Sequence, residues 1–405
     1  MSTTVYNPRK AWLALLGGGV IYFVNAACQY KVPPIMIDLM QALNLTISQG
    51  GWLMSIMSLL GLILAIPAGF IIIKLGCKWA TVLTAAVTLL GSLIGTFANS
   101  FGIMMLSRSL EGVGLGLVSV VSLAVVSTFF PPEKRGVPNG IIMALYTTSF
   151  FMMMNVATPI TSVFQWQGLW WFCNILSIIS VFAAYFFIPN KTDEPIFEDP
   201  QGSKSSEKIK FGKLLKSGSL WAVALTFIGF NIGYYGITTY MPTYLVEDVN
   251  ISQASANLAV SWNAIAGLPG VLIAGYLLDR IGIKNRKLIP AFAMLILAVC
   301  YFFAFKVTSV GSATFLLIFV GFICCFVPPS LYTIGPDIIP NTAYASMIIA
   351  IVTLGQNLGM TLGPLVVGYT VEASNSWAAC SIPIAVLALI GAVLCFMVKT
   401  KPSTN

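Results

Sequence analysis

With 405 residues, of which 58% are hydrophobic and 8% charged, and a mean hydropathy of +0.90, the chain is more apolar than any soluble core of this size requires. It has no histidine, and its eight cysteines show no CxxC spacing, so neither a metal site nor a disulfide framework is expected. The 21 Lys and Arg outnumber the 13 Asp and Glu, but they are spread through short loops, which argues for membrane topology and against nucleic acid.

A spanning helix needs about 20 mostly apolar residues. Twelve such runs are predicted, at 12–40, 49–73, 79–98, 102–130, 138–164, 168–188, 218–244, 254–278, 288–306, 311–336, 345–371 and 377–398. The expected fold class is an all-α membrane protein with twelve transmembrane helices in two pseudo-symmetric six-helix bundles. The N-terminal bundle covers 1–188, a cytoplasmic linker 189–216 and the C-terminal bundle 217–405. The first run is too long for a signal-peptide core and is followed by no small-residue cleavage site, so nothing is expected to be removed. Basic residues cluster at both termini, in the linker and in alternate loops, with Lys306 on the other side. The positive-inside bias therefore places both termini in the cytoplasm and the chain, as a multi-pass protein, in the plasma (inner) membrane.

In chain order, span one carries Lys31 just before Pro33-Pro34, and span two opens after Thr46-Ile47-Ser48, a helix-cap pattern. Span two ends at Gly69 to Lys78; span four holds Arg108, Glu111, Gly112, Gly114 and Gly116; span five carries Asn155 and Pro159. Gln165 to Gly168 reads as a tight aromatic turn into span six. The polar linker ends in a weakly amphipathic stretch, Ile209 to Leu215, expected along the inner membrane surface. Span seven carries Asn231, Tyr234, Tyr235 and Thr238, with Tyr240 and Trp262 read as interfacial aromatics. Span ten holds Pro328-Pro329 and Tyr332, and span eleven holds Asn357 among glycines at every fourth position, Gly355, Gly359 and Gly363, which admit close helix packing. A shift of 206 residues carries Gly69, Lys74, Gly76 and Lys78 onto Gly275, Arg280, Gly282 and Lys284, and Asn44 onto Asn250. Two copies of one unit have been fused.

The charged turn Gly275 to Lys284, its worn counterpart at Gly69 to Lys78, the Arg108-x-x-x-Gly112 pattern and the twelve runs together resemble the major facilitator superfamily over nearly the whole chain. The resemblance implies a secondary transporter whose halves alternately expose a central site. It also implies a conformational latch formed by Asp279 and Arg280 with Gly275, Gly282 and Lys284, and an Arg108 that projects toward the cavity. Ile73 stands where the first copy would carry the matching acid, so the latch would rest on the second copy or on other contacts. The worn first turn, with a lysine before a proline in span one, is similar to monocarboxylate carriers; Pro33-Pro34 and Tyr240 to Leu245 are similar to cyanate-type organic-anion permeases.

Only Lys31, Arg108 and Glu111 fall well inside a span, where a charge costs about 2.5–3.5 kcal/mol and normally faces a cavity or a partner. Their sum is positive. If Glu111 pairs with Arg108, Lys31 remains as an unpaired cation for an anionic ligand; if Glu111 is protonated, the attraction grows and coupled proton uptake follows. Plainer roles remain open: a snorkelling Lys31, an Arg108 that braces neighbouring helices, and a Glu111 that only partners it. Neutral polar groups, Asn155, Asn231, Tyr234, Tyr235, Thr238, Asn263, Tyr332, Gln356 and Asn357, are candidates to hold the uncharged end of a ligand. The reading is a porter for a small organic anion such as a monocarboxylate, with the proton as candidate coupling ion at Glu111, expected to be monomeric and to need no cofactor. The alternatives are an exporter of neutral or cationic compounds and a transporter-like receptor. No nucleophile–base set or phosphate loop points to an enzyme.

Overall fold

The computed structural model describes residues 7–190, 216–338 and 342–399. Most of the linker, including Ile209 to Leu215, lies outside them. The helices are α1 (Pro8–Tyr30), α2 (Met36–Leu43), α3 (Ile47–Thr96), α4 (Phe101–Phe129), α5 (Gly136–Phe187), α6 (Gly218–Glu247), α7 (Gln253–Arg280), α8 (Leu288–Ala304), α9 (Val310–Cys324), α10 (Val327–Ile338), α11 (Thr342–Ser374) and α12 (Trp377–Met397).

Helices and spans do not map one to one, for local reasons. A rod of 50 residues would run about 75 Å, more than twice a bilayer core. Accordingly α3 holds spans two and three, divided at Gly76 (φ 79°, ψ 167°), a backbone region open to glycine and costly for other residues. In α5, spans five and six part at Phe164 and Gln165, the latter at φ 56°. Conversely, Pro33-Pro34 splits span one into α1, a 3-10 turn over Pro33–Ile35 and α2, and Pro328-Pro329 splits span ten into α9 and α10, because proline offers no N–H to the ladder. The described residues thus hold twelve spans of an all-α membrane protein, with Phe70, Leu272 and Phe315 more than two-thirds exposed, a surface suited to lipid rather than water.

The repeat is legible in the backbone. Asn44 and Asn250 both turn left-handed, at φ 51° and 58°, as do Gln165 and Asn375 at 56° and 49°. Ser100 and Ser309 cap spans four and ten with nearly identical dihedrals (φ −152° and −151°, ψ 159°).

The chain divides into two compact units, Met1–Leu45 with Ile56–Lys204, and Thr46–Ser55 with Ser205–Asn405. The leading end of span two thus belongs with the second unit, which a boundary drawn at the linker does not anticipate. In the first unit α1 lies against α4 and α5, and a Cβ at Gly112 would sit 2.8 Å from the Met57 Cα. In the second unit α6 lies against α11 and α12. Added Cβ atoms at Gly359 and Gly363 would lie 2.7 Å and 2.9 Å from the carbonyl oxygens of Ile228 and Ile232, so the glycine stripe of α11 sets its distance from α6. Gly359→Val is expected to destabilise the protein by about 1–3 kcal/mol through overpacking, read as a lower melting midpoint in detergent.

Candidate functional site

Among the described residues, the fully buried charges are Lys31, Arg108 and Glu111, all in the first unit. Their arrangement starts from the prolines. Pro33 and Pro34 cannot donate to the carbonyls four residues back, so the end of α1 has acceptors to spare. Arg108, from α4, supplies donors: one terminal nitrogen donates to Cys28 O at 2.6 Å and the other to Gln29 O at 3.2 Å. A guanidinium at a helix C-terminus also suits the negative end of its dipole.

Glu111 lies one turn further along α4 and joins both cations. Its Oε2 accepts from Arg108 at 2.7 Å and its Oε1 from the Lys31 Nζ at 2.5 Å. The Lys31 amine also donates to Ser92 Oγ at 3.3 Å and sits 4.2 Å from the Trp170 ring centre, a cation–π contact. Glycines in span three make room for this: a Cβ at Gly91 would lie 2.8 Å from the Glu111 amide nitrogen, and one at Gly95 would collide with Trp170. Spans one, three, four and six therefore meet around the Lys31–Glu111 pair.

The electrostatic outcome differs from either expectation drawn from the chain. Glu111 does not choose Arg108 and leave Lys31 alone; it bridges the two, and the cluster keeps a formal charge of +1 with no exposed atom. The Lys31 amine does not snorkel to the surface. Trp170 and Ser92 were not singled out in the sequence. Ser92 belongs to a buried hydroxyl series, Thr81, Thr84, Thr88, Ser92 and Thr96, whose helical spacing could have marked the inward face of span three. Nearby, Tyr30 and Tyr146 share a hydroxyl hydrogen bond of 2.7 Å, and Tyr146 donates to Gln29 Oε1 at 3.1 Å.

The neutral candidates scatter. Asn155 and Asn357 donate to carbonyls of their own helices four residues back, at 2.8 and 3.0 Å. In the second unit Tyr332 donates to Gln356 Oε1 at 2.5 Å and pairs with Thr353 at 3.1 Å, while Asn231 donates to Gln356 O at 3.0 Å. Tyr234 donates to Asn263 Oδ1 at 3.0 Å and stacks on Phe230, with Tyr235 edge-on to it. Tyr332 meets Phe227 edge to face. The structure thus gathers Asn231 and Tyr332 about Gln356, and adds Phe227 and Phe230, which were not singled out in the sequence.

The charged turn is open. Asp279 and Arg280 end α7 as exposed residues and form no ion pair among the described residues; Arg280 lies 4.6 Å over the Tyr276 ring. Added Cβ atoms at Gly275 and Gly282 would meet nothing, and Lys284 is exposed. The ion pair at this end is Arg286–Asp337 at 3.0 Å, with Arg286 Nε also donating to Leu278 O. Tyr240 is not an interfacial aromatic: it is fully buried, whereas Trp262 is exposed.

Twelve apolar spans in two repeats, with a charge cluster held inside one of them, define a polytopic membrane carrier. The family model described as "Major Facilitator Superfamily" matches residues 18–349, and the chain belongs to that family of transporters. Its relatives include a Haemophilus influenzae protein named for metabolite transport, 25% identical over 94% of this chain and 93% of its own. A hexuronate transporter of Bacillus subtilis is 24% identical over 89% and 87%. A Staphylococcus aureus protein named for nitrate transport, NarT, is 26% identical over 56% of each chain. In fold the chain is similar to a bacterial homologue of the human lysosomal transporter Spinster, solved inward-facing and unoccupied, with a TM-score of 0.84 and 15% identity over 97% of both chains.

Proposed function

We propose that the protein is a secondary active transporter for a small organic anion, a monocarboxylate in the narrower reading, with the proton as coupling ion. The observation that carries this is the buried cluster: two cations share one carboxylate at full burial, and an excess positive charge in a medium of low dielectric favours an anionic partner. Lys31 is the residue proposed to meet the anion, since Arg108 is also committed to the carbonyls of α1. Protonating Glu111 would release the Lys31 amine and raise the cluster to +2, so proton and anion would enter together. The names of two relatives, for hexuronate and for nitrate, are of anions and support the same class. A cation exporter that uses Glu111 as recognition acid is disfavoured, because both carboxylate oxygens are already engaged by cations.

The protein is further proposed to act as a monomer in the inner membrane, and its loop charges support cytoplasmic termini. The test is counterflow in proteoliposomes loaded with acetate, lactate, oxalate or nitrate. Labelled carboxylate is expected to exchange, faster at acidic pH, and to be untouched by lipophilic amines. Exchange of amines with indifference to carboxylates would overturn the reading, and no exchange of any solute would point to a receptor.

A further inference from the structure

We infer that Glu372, near the end of α11, is a positioning residue of the transport cycle that holds the leading end of span two to the second unit by capping its helix in trans. A helix start leaves four backbone N–H groups without partners, and at Ile47 each can be accounted for. Thr46 and Gln49 form a reciprocal box: Gln49 N donates to Thr46 Oγ1 at 3.3 Å and Thr46 N to Gln49 Oε1 at 3.0 Å. Gly50 N–H, the first with an intrahelical partner, donates to Thr46 O at 3.0 Å. The two that remain go to Glu372. Ser48 N donates to its Oε1 at 2.8 Å, and the Ile47 N–H and the Thr46 and Ser48 hydroxyls also bond the carboxylate, which sits at the positive end of the helix dipole.

The same short segment is gripped from other sides. Tyr240 donates to Ile47 O at 2.5 Å and Trp52 Nε1 to the Tyr369 hydroxyl at 3.0 Å. A Cβ at Gly51 would lie 2.8 Å from Pro364 O, and one at Gly368 3.0 Å from the Ser48 Cα. This is why Thr46–Ser55 packs as part of the second unit while Ile56 onward packs with the first. Transporters of this kind work by moving one bundle against the other, so a helix divided between bundles must bend or release one end. Residues 52–60 contain neither glycine nor proline, the usual sources of a kink. Release is therefore the softer route, and the partly buried Glu372 cap is a contact that water can replace.

The test uses full-length protein in nanodiscs and needs no substrate. Hydrogen exchange across residues 44–55 is followed in wild type, Glu372→Gln and Glu372→Asp, together with labelling of Ser55→Cys by a membrane-impermeant maleimide. Ser55 is buried and its hydroxyl has no hydrogen-bond partner among the described residues, so the thiol reports opening of the segment. In Glu372→Gln, exchange and labelling are expected to rise about fivefold, the weight of a helix cap, at an unchanged melting midpoint; Glu372→Asp, charged but shorter, falls between. Rates equal to wild type would overturn the inference, and so would a rise accompanied by a lower melting midpoint, which is the signature of a purely structural role.

Discussion

Glu111→Gln is expected to be the most damaging single substitution in the first unit, lowering stability by about 3–5 kcal/mol. The amide keeps the size of the side chain and some of its hydrogen bonds, but it leaves Lys31 and Arg108 as two uncompensated cations among fully buried groups. Neither cation can reach water without disturbing the packing of spans one, three and six around them. The check is the melting midpoint and folded yield of the purified variant. The partner experiment is Lys31→Met/Glu111→Gln, which restores a formal charge of +1. A rescue relative to Glu111→Gln alone would place the cost in charge imbalance, whereas additive losses would place it in lost hydrogen bonds.

The second large effect is functional. Lys31→Met removes one cation while leaving Arg108 and Glu111 as a matched pair at 2.7 Å. Methionine is similar in length, and the site is lined by Trp170 and the backbone of span three, so stability is expected to stay close to wild type. Anion counterflow is expected to fall to the level of empty liposomes, because the excess positive charge is gone. Persistent uptake with unchanged apparent affinity would remove Lys31 from the proposed site and with it the argument for an anion. On the proposed function, the two variants separate the charge that the fold requires, tested at Glu111, from the charge that the cargo requires, tested at Lys31.

Features that rest on short-range chemistry were legible in the chain. The runs of apolar residues that set the twelve spans, the repeat marked by Asn44 and Asn250, and the breaks at Pro33-Pro34 and Pro328-Pro329 all follow from the residues on the spot, because hydrophobic length and backbone hydrogen bonding act locally. Partnerships between distant residues emerged with the fold. Lys31 and Glu111 are 80 positions apart and meet because glycines in a third helix let the backbones close in. Glu372 and Ser48 are 324 positions apart, and nothing near either of them in the chain marks the other. Tyr240, which the chain alone does not distinguish from an interfacial tyrosine, is buried with its hydroxyl on the Ile47 carbonyl. Which polar group a buried side chain meets depends on helix rotation and depth, and these are set by packing across the whole bundle.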